Sequence, residues 1–525
     1  MEPEKPPPTS WLQRTLQRVM PRRAAGDVVA ANVEQGARNV VVGKNIVQIG
    51  TLVVPVPLLA LVLVALIATT GVVIWKFDQL APAGPARMDG TFNIAIADFV
   101  ELDARGQPTH SASGRQISAW VYNSLEEQRR DYTSQYDKDN GANLLIWHNG
   151  LPRAEKSVVI ERVDAADAAV RQRQAAAIAE KIGADAVVYG VFDAERGLIP
   201  EFYVVPPQRY SILDIVGGYQ LGSDAVPIDM KNQPALLRQL APRTNGLFWL
   251  LLGLRYVAFG DSARAYALLS LAENTLQDWH GGAQGEELLY FFKGQSALFD
   301  AQRLDREQQP AEFQKRLADA RAAFDQAITL NPTYARAYVG RGSVFLETAE
   351  TAEQPADLPH SANIDQAVAS YTQAQQLAPQ SGDPERINWL ADLGLAQTHR
   401  LRGQAYYLLN QDAAAEPELS AAAAGAQALI QRITATDDGD ARVLGQTYLT
   451  FGNAAQQLGV LRRSQSDNAG ALQWYTRARD TAAQCVALRS KAPTDDVLQR
   501  DVIVKCARVQ ADAASALTQL SGGKP

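Results

Sequence analysis

The sequence predicts a multidomain chain with a single transmembrane helix, a small α/β domain and then an all-α solenoid of helical repeats. Three observations lead to this prediction. One stretch before residue 80 is apolar and uncharged, strands then alternate with helices, and small and large side chains finally recur at fixed spacing. The predicted boundaries are 1–50 for a cytoplasmic basic tail and juxtamembrane segment, 51–76 for the transmembrane helix, 77–90 for a linker, 91–240 for the α/β domain and 245–522 for the repeats.

Composition narrows the classes of protein to which the chain can belong. Hydrophobic residues make up 46% of its 525 residues and charged residues 20%, which is ordinary usage for packed globular cores. The net charge of -7 argues against a nucleic-acid partner, because such proteins need a basic surface that displaces counterions from phosphates. The 2 cysteines are too few for a disulfide scaffold or a structural zinc site.

The predicted membrane helix rests on charge and length. No charged residue occurs from Asn45 to Trp75, and the part from Val56 to Trp75 is aliphatic almost throughout. A helix of about 20 apolar residues spans a hydrocarbon core of about 30 Å. A cleaved secretory signal is the alternative, but the run is too long, begins late in the chain and lacks a small-residue cleavage site before Lys76. Membrane lipid is therefore an expected partner.

Basic residues set the predicted orientation of the span. They are more frequent in the tail before the span than after it, although the nearest flanks are balanced. Because positive charge prefers the cytoplasm, the N-terminus is expected there and the C-terminal domains are expected on the other side of the cell membrane. The segment from Trp11 to Met20 fits a short basic amphipathic helix on an anionic leaflet, and it fits a disordered tail equally well.

Two short connecting segments flank the predicted span. The segment from Asn39 to Gly50 alternates aliphatic residues and carries two glycines, which predicts a juxtamembrane hairpin. Its Gly43-Lys44 pair lacks the remaining residues of a phosphate loop, so no nucleotide is implied. The stretch from Leu80 to Gly90 is rich in Pro, Ala and Gly and predicts a linker.

Strands and helices alternate after the linker, which predicts parallel strands joined by helical crossovers and hence an α/β layer. The predicted strands are Phe92–Phe99, Leu144–His148, Ala184–Val191 and Phe202–Val205, and the predicted helices are Ser111–Tyr132 and Asp164–Gly183.

The residues of this segment also resemble a known family. The opening IAIADF, the helix after Gly114 that ends at Leu125, and an Ala-rich helix that runs into IGADAVVYGVFDAE resemble the TolB N-terminal and curli-secretion-lipoprotein-like family of small α/β domains. The resemblance covers about a quarter of the chain. It implies a non-enzymatic domain found in envelope assemblies, which agrees with a place outside the cytoplasm.

Helical repeats are predicted from residue 245 onward, because small and large residues recur there at fixed spacing. A first helix carries large, large, small and large residues, and a second carries small, large and small residues. The first unit has Trp249, Leu252, Gly253 and Tyr256, then Ala265, Leu269 and Ala272. Later matches are Ala320, Phe324, Ala327 and Pro332; Tyr338, Gly342 and Phe345 with Ala367, Tyr371, Ala374 and Pro379; Leu390, Leu393 and Gly394; and Tyr448, Phe451 and Gly452 with Ala471, Tyr475 and Ala478.

This spacing resembles that of tetratricopeptide repeats. Small residues stand where two helices cross closely, and prolines end the second helix at the same offset twice. The turns before Ala320, Ala367 and Ala471 are longer than the family's, which predicts an irregular array. An unrelated Ala-rich helical solenoid is the alternative. Either architecture offers an extended surface for a protein or peptide partner.

Residues for catalysis or cofactor binding form no recognisable pattern. The 5 histidines are scattered without metal-ligand spacing, and no nucleophile elbow, Walker loop or dinucleotide fingerprint occurs. Asp98 and Asp185 stand near strand ends, where α/β active sites are built, but carboxylates there are more often solvated or capping. The sequence therefore predicts no enzyme, no metal and no cofactor.

Two functions from different classes remain open. The first is a membrane-anchored interaction scaffold whose helical-repeat groove binds a protein or peptide partner. The second is a transmembrane ligand-sensing receptor whose α/β domain binds a small molecule, which a preformed apolar pocket at the carboxyl ends of the strands would favour. For the scaffold, tetratricopeptide positions counted from Tyr448 place four amides in the groove: Gln446, Asn453, Gln456 and Gln457. No lysine accompanies Asn453, which puts recognition of a C-terminal carboxylate in doubt.

Two further expectations concern the ends of the array. The same count in the first unit gives an apolar surface that the preceding domain is expected to cover: Leu247, Leu250, Leu254, Val257 and Ala258. Cys485 and Cys506 are expected not to form a disulfide. Their heights on two antiparallel helices, 468–490 and 495–520, are about 8 and 16 Å at ~1.5 Å per residue. That offset exceeds the Cα separation of about 7 Å that a disulfide tolerates.

Overall fold

The computed structural model of the chain contains two compact units, residues 1–84 and residues 85–525. It describes residues 40–43, 46–49 and 52–55 and then most of the chain from 87 to 522. The stretches outside the description in that range are 110, 137–143, 150–158, 194–196, 205–217, 221–232, 259, 277–285, 305, 307, 382, 437–439 and 492–496.

Three antiparallel strands are described in the first unit: β1 (Val40–Gly43), β2 (Ile46–Ile49) and β3 (Leu52–Pro55). β1 pairs with β2, which confirms that this segment forms a hairpin, and β2 pairs with β3, which the sequence did not predict. Because β3 is a strand, a membrane helix cannot begin at residue 51. The remainder of the predicted span, including Val56–Trp75, lies outside the described residues, as does the basic tail. Among the described residues, no helix is both long and apolar enough to cross a membrane.

The second unit begins with a mixed sheet and two helices. The elements are β4 (Phe92–Ile96), β5 (Val100–Leu102), β6 (Pro108–Thr109), α1 (Ala112–Tyr136), β7 (Leu144–His148), α2 (Ala168–Ile182), β8 (Ala186–Asp193), β9 (Gly197–Val204) and β10 (Gly218–Gln220). The strand order is β10-β9-β8-β4-β7, with β5 pairing β6 and β8 beside this path. β4 pairs in parallel with β7 and β8, which confirms the predicted α/β layer, whereas β9 and β10 add antiparallel strands.

The two helices cover opposite faces of the sheet, because neighbouring residues of a strand point to opposite sides. Ile94 of β4 belongs to the core that contains α1, and Ala95 belongs to the core that contains α2. The start of α2 is capped by Asp167, whose carboxylate accepts the N–H of Val170 at 2.9 Å. Gly183 ends this helix at a φ of 70°, a left-handed conformation that favours glycine. The chain then enters β8 after only three residues, as the sequence predicted.

Thirteen α-helices are described, and the last eleven form the array. They are α3 (Gln233–Ala258), α4 (Ser262–Leu276), α5 (Glu286–Arg303), α6 (Pro310–Leu330), α7 (Ala335–Ala352), α8 (Ala362–Leu377), α9 (Pro384–Leu408), α10 (Asp412–Thr434), α11 (Ala441–Ser464), α12 (Asn468–Ala487) and α13 (Val497–Leu520). Consecutive pairs from α3 to α12 form five helical hairpins, in which the first is the A helix and the second the B helix. α13 follows as a single helix packed on α11 and α12. The chain therefore contains the predicted helical solenoid.

The α/β part and the array share one core. α3 begins at Gln233 and so crosses the predicted boundary at 240–245. α1 packs on α3, where the hydroxyls of Ser124 and Thr244 are 2.6 Å apart and those of Tyr132 and Tyr256 are 3.0 Å apart. The leucines that were expected to be covered, Leu247, Leu250 and Leu254, are buried in the core cluster that also contains α1. The α/β part thus caps the first hairpin, as terminal repeats require.

A close contact between a glycine and a large side chain recurs in every hairpin. A Cβ atom added at the glycine of the A helix would come within 3.0 Å of the side chain on the B helix. The pairs are Gly253 with Leu269, Gly294 with Phe324, Gly342 with Tyr371, Gly403 with Leu419 and Gly459 with Tyr475. Glycine lets the two backbones approach, so these contacts explain the spacing that the sequence shows.

Two glycines of the predicted repeats pack against a different element from the one that the sequence assigned to them. Gly394 was assigned to the hairpin that α9 opens, but it faces Tyr371 of the preceding hairpin. Gly452 was assigned to the last hairpin, but its nearest neighbour is Val509 of α13. The long helices α9 and α11 each present glycine to two neighbours, which a fixed-period search cannot separate. The connections before α6 and α8 have six and nine residues, against three in the other hairpins, which confirms the longer turns predicted before Ala320 and Ala367. The turn before Ala471 has only three residues, so that prediction is wrong.

Gly394→Ala is expected to destabilise the array by about 1–3 kcal/mol, the usual cost of inserting a methyl group into a packed core. The new Cβ would lie 2.2 Å from the ring of Tyr371, which Gly342 confines on its other side. Urea unfolding of residues 85–525 measures the change. Gly425→Ala is the matched control, because its Cβ would meet only Ala396 at 3.7 Å. The control is expected to be neutral or stabilising by up to about 1 kcal/mol, since alanine favours helix. Equal losses in both variants would contradict this account.

The expectation of two separate cysteines is wrong. Cys485 and Cys506 form a disulfide with a Cα separation of 6.1 Å, and both are fully buried. α12 continues as a 3₁₀ turn to Lys491, so at ~2.0 Å per residue there, Cys485 lies about 11 Å from its helix end. Cys506 lies about 13 Å from the start of α13, so the axial offset nearly vanishes. The two helix radii of ~2.3 Å must also be subtracted from the ~8–10 Å between axes, which brings facing Cα atoms within reach.

Candidate functional site

A cavity of about 640 Å³ lies along the array, and its wall comes mainly from A helices. We call it the A-helix cavity. Its lining side chains stand on α5, α7, α9 and α11, with further contributions from α13 at one end. On α9 the lining residues recur at alternating steps of four and three positions: Arg386, Leu390, Leu393, Gln397 and Arg400. This is the spacing of one face of a helix, so each A helix turns one stripe of side chains toward the cavity.

Apolar side chains form much of the wall. Those on the A helices are Phe291, Leu298, Phe299, Val339, Leu346, Leu390, Leu393, Val443 and Leu449. Helix α13 adds Val502 and Ile503 at the end of the array, where the disulfide Cys485–Cys506 joins this helix to α12. The cavity is within the range of about 300–1,000 Å³ that is typical of ligand pockets.

Charged residues of the wall are paired across neighbouring helices. Glu347 of α7 accepts hydrogen bonds from Arg306 and, at 3.1 Å, from Gln302. Burial raises the pKa of the Glu347 carboxyl, and the positive charge of Arg306 opposes that rise. Arg400 of α9 donates to Glu350 of α7 at 3.3 Å. These pairs cross from one hairpin to the next, so they fix the spacing of the helices that form the wall.

A second charged link joins the starts of two A helices. Arg386 of α9 donates to Asp440 at 2.7 Å, and Asp440 also caps α11 by accepting the N–H groups of Arg442 and Val443. A capping carboxylate satisfies N–H groups that have no partner within the helix. One aspartate therefore starts α11 and holds it against α9.

Amide side chains supply the neutral hydrogen-bonding groups of the cavity. They stand on three A helices: Gln295 and Gln302 on α5, Gln397 on α9, and Gln446 and Asn453 on α11. The Oε1 atom of Gln295 is buried and has no hydrogen-bond partner among the described residues. Burying a hydrogen-bond acceptor without a partner costs free energy. A ligand that donates an N–H group to this atom would therefore be stabilised there.

The four amides predicted from the sequence are divided by the structure. Gln446 and Asn453 line the A-helix cavity. Gln456 and Gln457 lie about one turn further along α11, beyond the last residue of this helix that lines the cavity, and they are not part of its wall. The count from Tyr448 placed Gly452 at the crossing with the B helix, whereas Gly452 packs against Val509 of α13 and Gly459 packs against Tyr475 of the B helix. Contact between the partner and Gln446 or Asn453 stays a prediction.

The sequence missed most of the wall, because the cavity joins four hairpins and α13. The spacing of the lining residues along each A helix, at steps of three and four positions, is a local signal that a search could have used. The second well-formed cavity, of about 310 Å³, lies between α9 and α10. Its floor is made of alanines and a glycine, and His399 at its edge contacts Glu418 through Nδ1 at 2.6 Å.

The two strand-end aspartates of the α/β part occupy different ends of the sheet. Asp185 precedes β8 and accepts the N–H of Asn93 at 2.7 Å, so it ties two strands together at their amino ends. Asp98 follows β4 at the carboxyl end, where Ser118 Oγ lies 3.4 Å from its carboxylate. His148 ends β7 nearby, its ring contacts that of Tyr122 at a centroid distance of 4.3 Å, and burial lowers the pKa of its imidazole. Neither aspartate lines the A-helix cavity or the cavity between α9 and α10.

Comparisons with known proteins give limited similarity. No family model matches the chain, and no curated protein matches it either. Among solved structures, TTC0263, a thermophilic TPR protein of Thermus thermophilus, is 17% identical over 52% of this chain and 98% of its own, with a TM-score of 0.26. A monomeric mutant of IFIT1 solved with m7Gppp-AAAA is 13% identical over 56% of this chain and 67% of its own, with a TM-score of 0.24. The architecture described above rests on the helix packing itself.

Proposed function

We propose that the chain is a membrane-anchored protein-interaction scaffold that binds an extended segment of a partner protein in the A-helix cavity. The observation that carries this proposal is the wall of the cavity, which combines apolar side chains with amides on the A helices α5, α9 and α11. Amides both donate and accept hydrogen bonds, so they match the alternating N–H and C=O groups of an extended backbone. Binding, and not catalysis, is the proposed activity.

Anchoring in the membrane and the place of the array outside the cytoplasm are part of the proposal. The uncharged run from Val56 to Trp75 supports the anchor, since its length suits a bilayer. The disulfide Cys485–Cys506 supports the placement of the array, because disulfides persist in oxidising compartments and are rare in the cytosol. Membrane lipid would then be a second partner of the chain.

The scaffold is expected to lose affinity for its partner when the amides of α11 are removed. Gln446→Ala with Asn453→Ala is expected to weaken binding by about tenfold, because each lost hydrogen bond contributes about 0.5–1.5 kcal/mol. Pull-down from an envelope extract identifies the partner, and titration with the purified partner measures the affinity. Gln456→Ala is the matched control, since this amide stands on the same helix outside the cavity. Unchanged binding in the double variant would remove the A-helix cavity from the proposal.

Orientation in the membrane is tested with reporter fusions at the C-terminus. Alkaline phosphatase is expected to be active there, because the array would lie outside the cytoplasm. A second fusion, with a reporter that folds only in the cytoplasm, is expected to be inactive. An inactive phosphatase together with an active cytoplasmic reporter would reverse the topology and leave the disulfide in a reducing compartment.

A further inference from the structure

The A-helix cavity has more basic than acidic residues, although the whole chain carries a net charge of -7. Its wall contains six basic residues against four carboxylates. The basic residues are Arg306, Arg336, Arg386, Arg400, Arg442 and Lys505. A cavity wall with an excess of positive charge, on a protein whose net charge is negative, attracts and orients a negatively charged partner.

We propose that the cavity binds a short acidic segment of a partner protein through the side-chain carboxylates of its Asp and Glu residues. This inference rests on the proposed scaffold function and specifies the partner's chemistry. The size of the cavity allows a few residues of an extended chain and no folded domain.

Two of the four carboxylates of the wall, Asp440 and Glu347, are buried and already occupied, which disfavours a basic ligand at these positions. The carboxylate of Asp440 is only 5% exposed and holds Arg386 together with two N–H groups of α11. The carboxylate of Glu347 is 11% exposed and accepts from Arg306 and Gln302. A lysine or arginine from a partner would have to displace these buried bonds, which costs more than an exposed contact returns.

Two of the basic residues, Arg400 and Lys505, retain donors that an acidic ligand can use. A guanidinium has five N–H donors in a fork, and the Arg400 group spends two of them, on Glu350 and Gln404. Lys505 on α13 is 59% exposed and pairs, among the residues that the structure describes, with the exposed Asp501 one turn away, an arrangement of little net stability.

Four labelled octapeptides test the inference by fluorescence anisotropy with the full chain in detergent micelles. They are an acidic peptide of alternating Glu and Ala, its Gln counterpart, its Lys counterpart and the acidic peptide with an amidated C-terminus. A single-stranded oligonucleotide of similar charge is the fifth probe. We expect the acidic peptide to bind at least about tenfold more tightly than the Gln peptide, because charge-assisted hydrogen bonds are about twice as strong as neutral ones. We expect amidation to change little and added salt to weaken binding.

Two substitutions connect the binding to the wall. Arg400→Gln and Lys505→Gln are each expected to weaken the acidic peptide about fivefold or more and to leave the Gln peptide unaffected. Arg479→Gln is the matched control, since Arg479 is exposed on α12 and pairs only with its neighbour Asp480. The urea midpoint of each variant shows whether the fold is retained.

The outcomes separate this inference from the proposed function. Equal or tighter binding of the Gln or Lys peptide overturns the preference for acidic segments, and so does binding of the oligonucleotide alone. Loss of binding on amidation would transfer recognition from side chains to a C-terminal carboxylate and also overturn it. If no peptide binds but Gln446→Ala with Asn453→Ala still weakens the natural partner, the scaffold function stands and the acidic preference fails. If that double variant has no effect either, the cavity is not the binding site.

Discussion

Arg171→Ala is expected to lower the free energy of unfolding of residues 85–525 by about 3–5 kcal/mol, because it leaves a buried carboxylate without its cation. Arg171 on α2 and Glu201 on β9 have side chains that are only 7% and 8% exposed. The guanidinium donates through Nε and Nη2 to Glu201 and through Nη1 to the carbonyl oxygens of Ala165 and Ala166. Its removal therefore breaks a salt bridge and strands two backbone acceptors.

Urea unfolding monitored by circular dichroism measures the loss, and two further variants isolate its cause. Arg171→Met with Glu201→Leu removes both charges and is expected to recover most of the stability, since apolar replacements of buried pairs are often neutral. Glu161→Gln breaks the exposed pair between Glu161 and Lys181, a residue that stands on α2 like Arg171. This change is expected to cost less than about 1 kcal/mol. A double variant as unstable as Arg171→Ala would mean that the packing of α2, and not the isolated charge, causes the loss.

The sequence could not predict this pair, although it predicted the elements that carry it. Hydrophobic strands and Ala-rich helices are local patterns, and they placed β7, α2 and β8 within a few residues of their observed positions. Arg171 looks like any exposed arginine of an amphipathic helix. It is buried because β9 returns antiparallel to β8 and brings Glu201 beneath α2, and that pairing depends on a contact thirty positions along the chain.

The repeat array was predictable in kind and less predictable in register. Small residues at helix crossings recur because backbones approach there, and this signal gave Gly253, Gly342 and the alanines of the B helices correctly. On α9 and α11 the same signal occurs twice, because Gly394 and Gly452 serve the neighbouring element. Two of the four predicted groove amides, Gln456 and Gln457, lie outside the cavity, while Gln446 and Asn453 stand on its wall. The rest of the cavity wall comes from helices that are distant in sequence, and no local sequence pattern connects them.

Loss of the disulfide is expected to destabilise the end of the array by about 3 kcal/mol, since the bridge closes a loop of 21 residues. Cys485→Ala with Cys506→Ala removes the bridge without burying a hydroxyl or a charge. Cross-linking stabilises the fold by restricting the unfolded chain. In the folded chain, the bridge also limits the separation of α13 from α12. The packing of Gly452 against Val509 holds α13 on α11. Amide hydrogen exchange of residues 497–520 measures the local effect. A loss of this size corresponds to about 100-fold faster exchange through opening of α13.

The single variants decide whether the bridge or the packing is responsible for that loss. If the bridge is responsible, Cys485→Ala alone gives nearly the whole effect and Cys506→Ala adds little, because either change abolishes the bond. If the two buried side chains act only by filling space, the losses add. A non-reducing mass spectrum of protein from an oxidising compartment is expected to contain the linked peptides. Two free thiols in that spectrum would contradict the bridge, and with it one support for placing the array outside the cytoplasm.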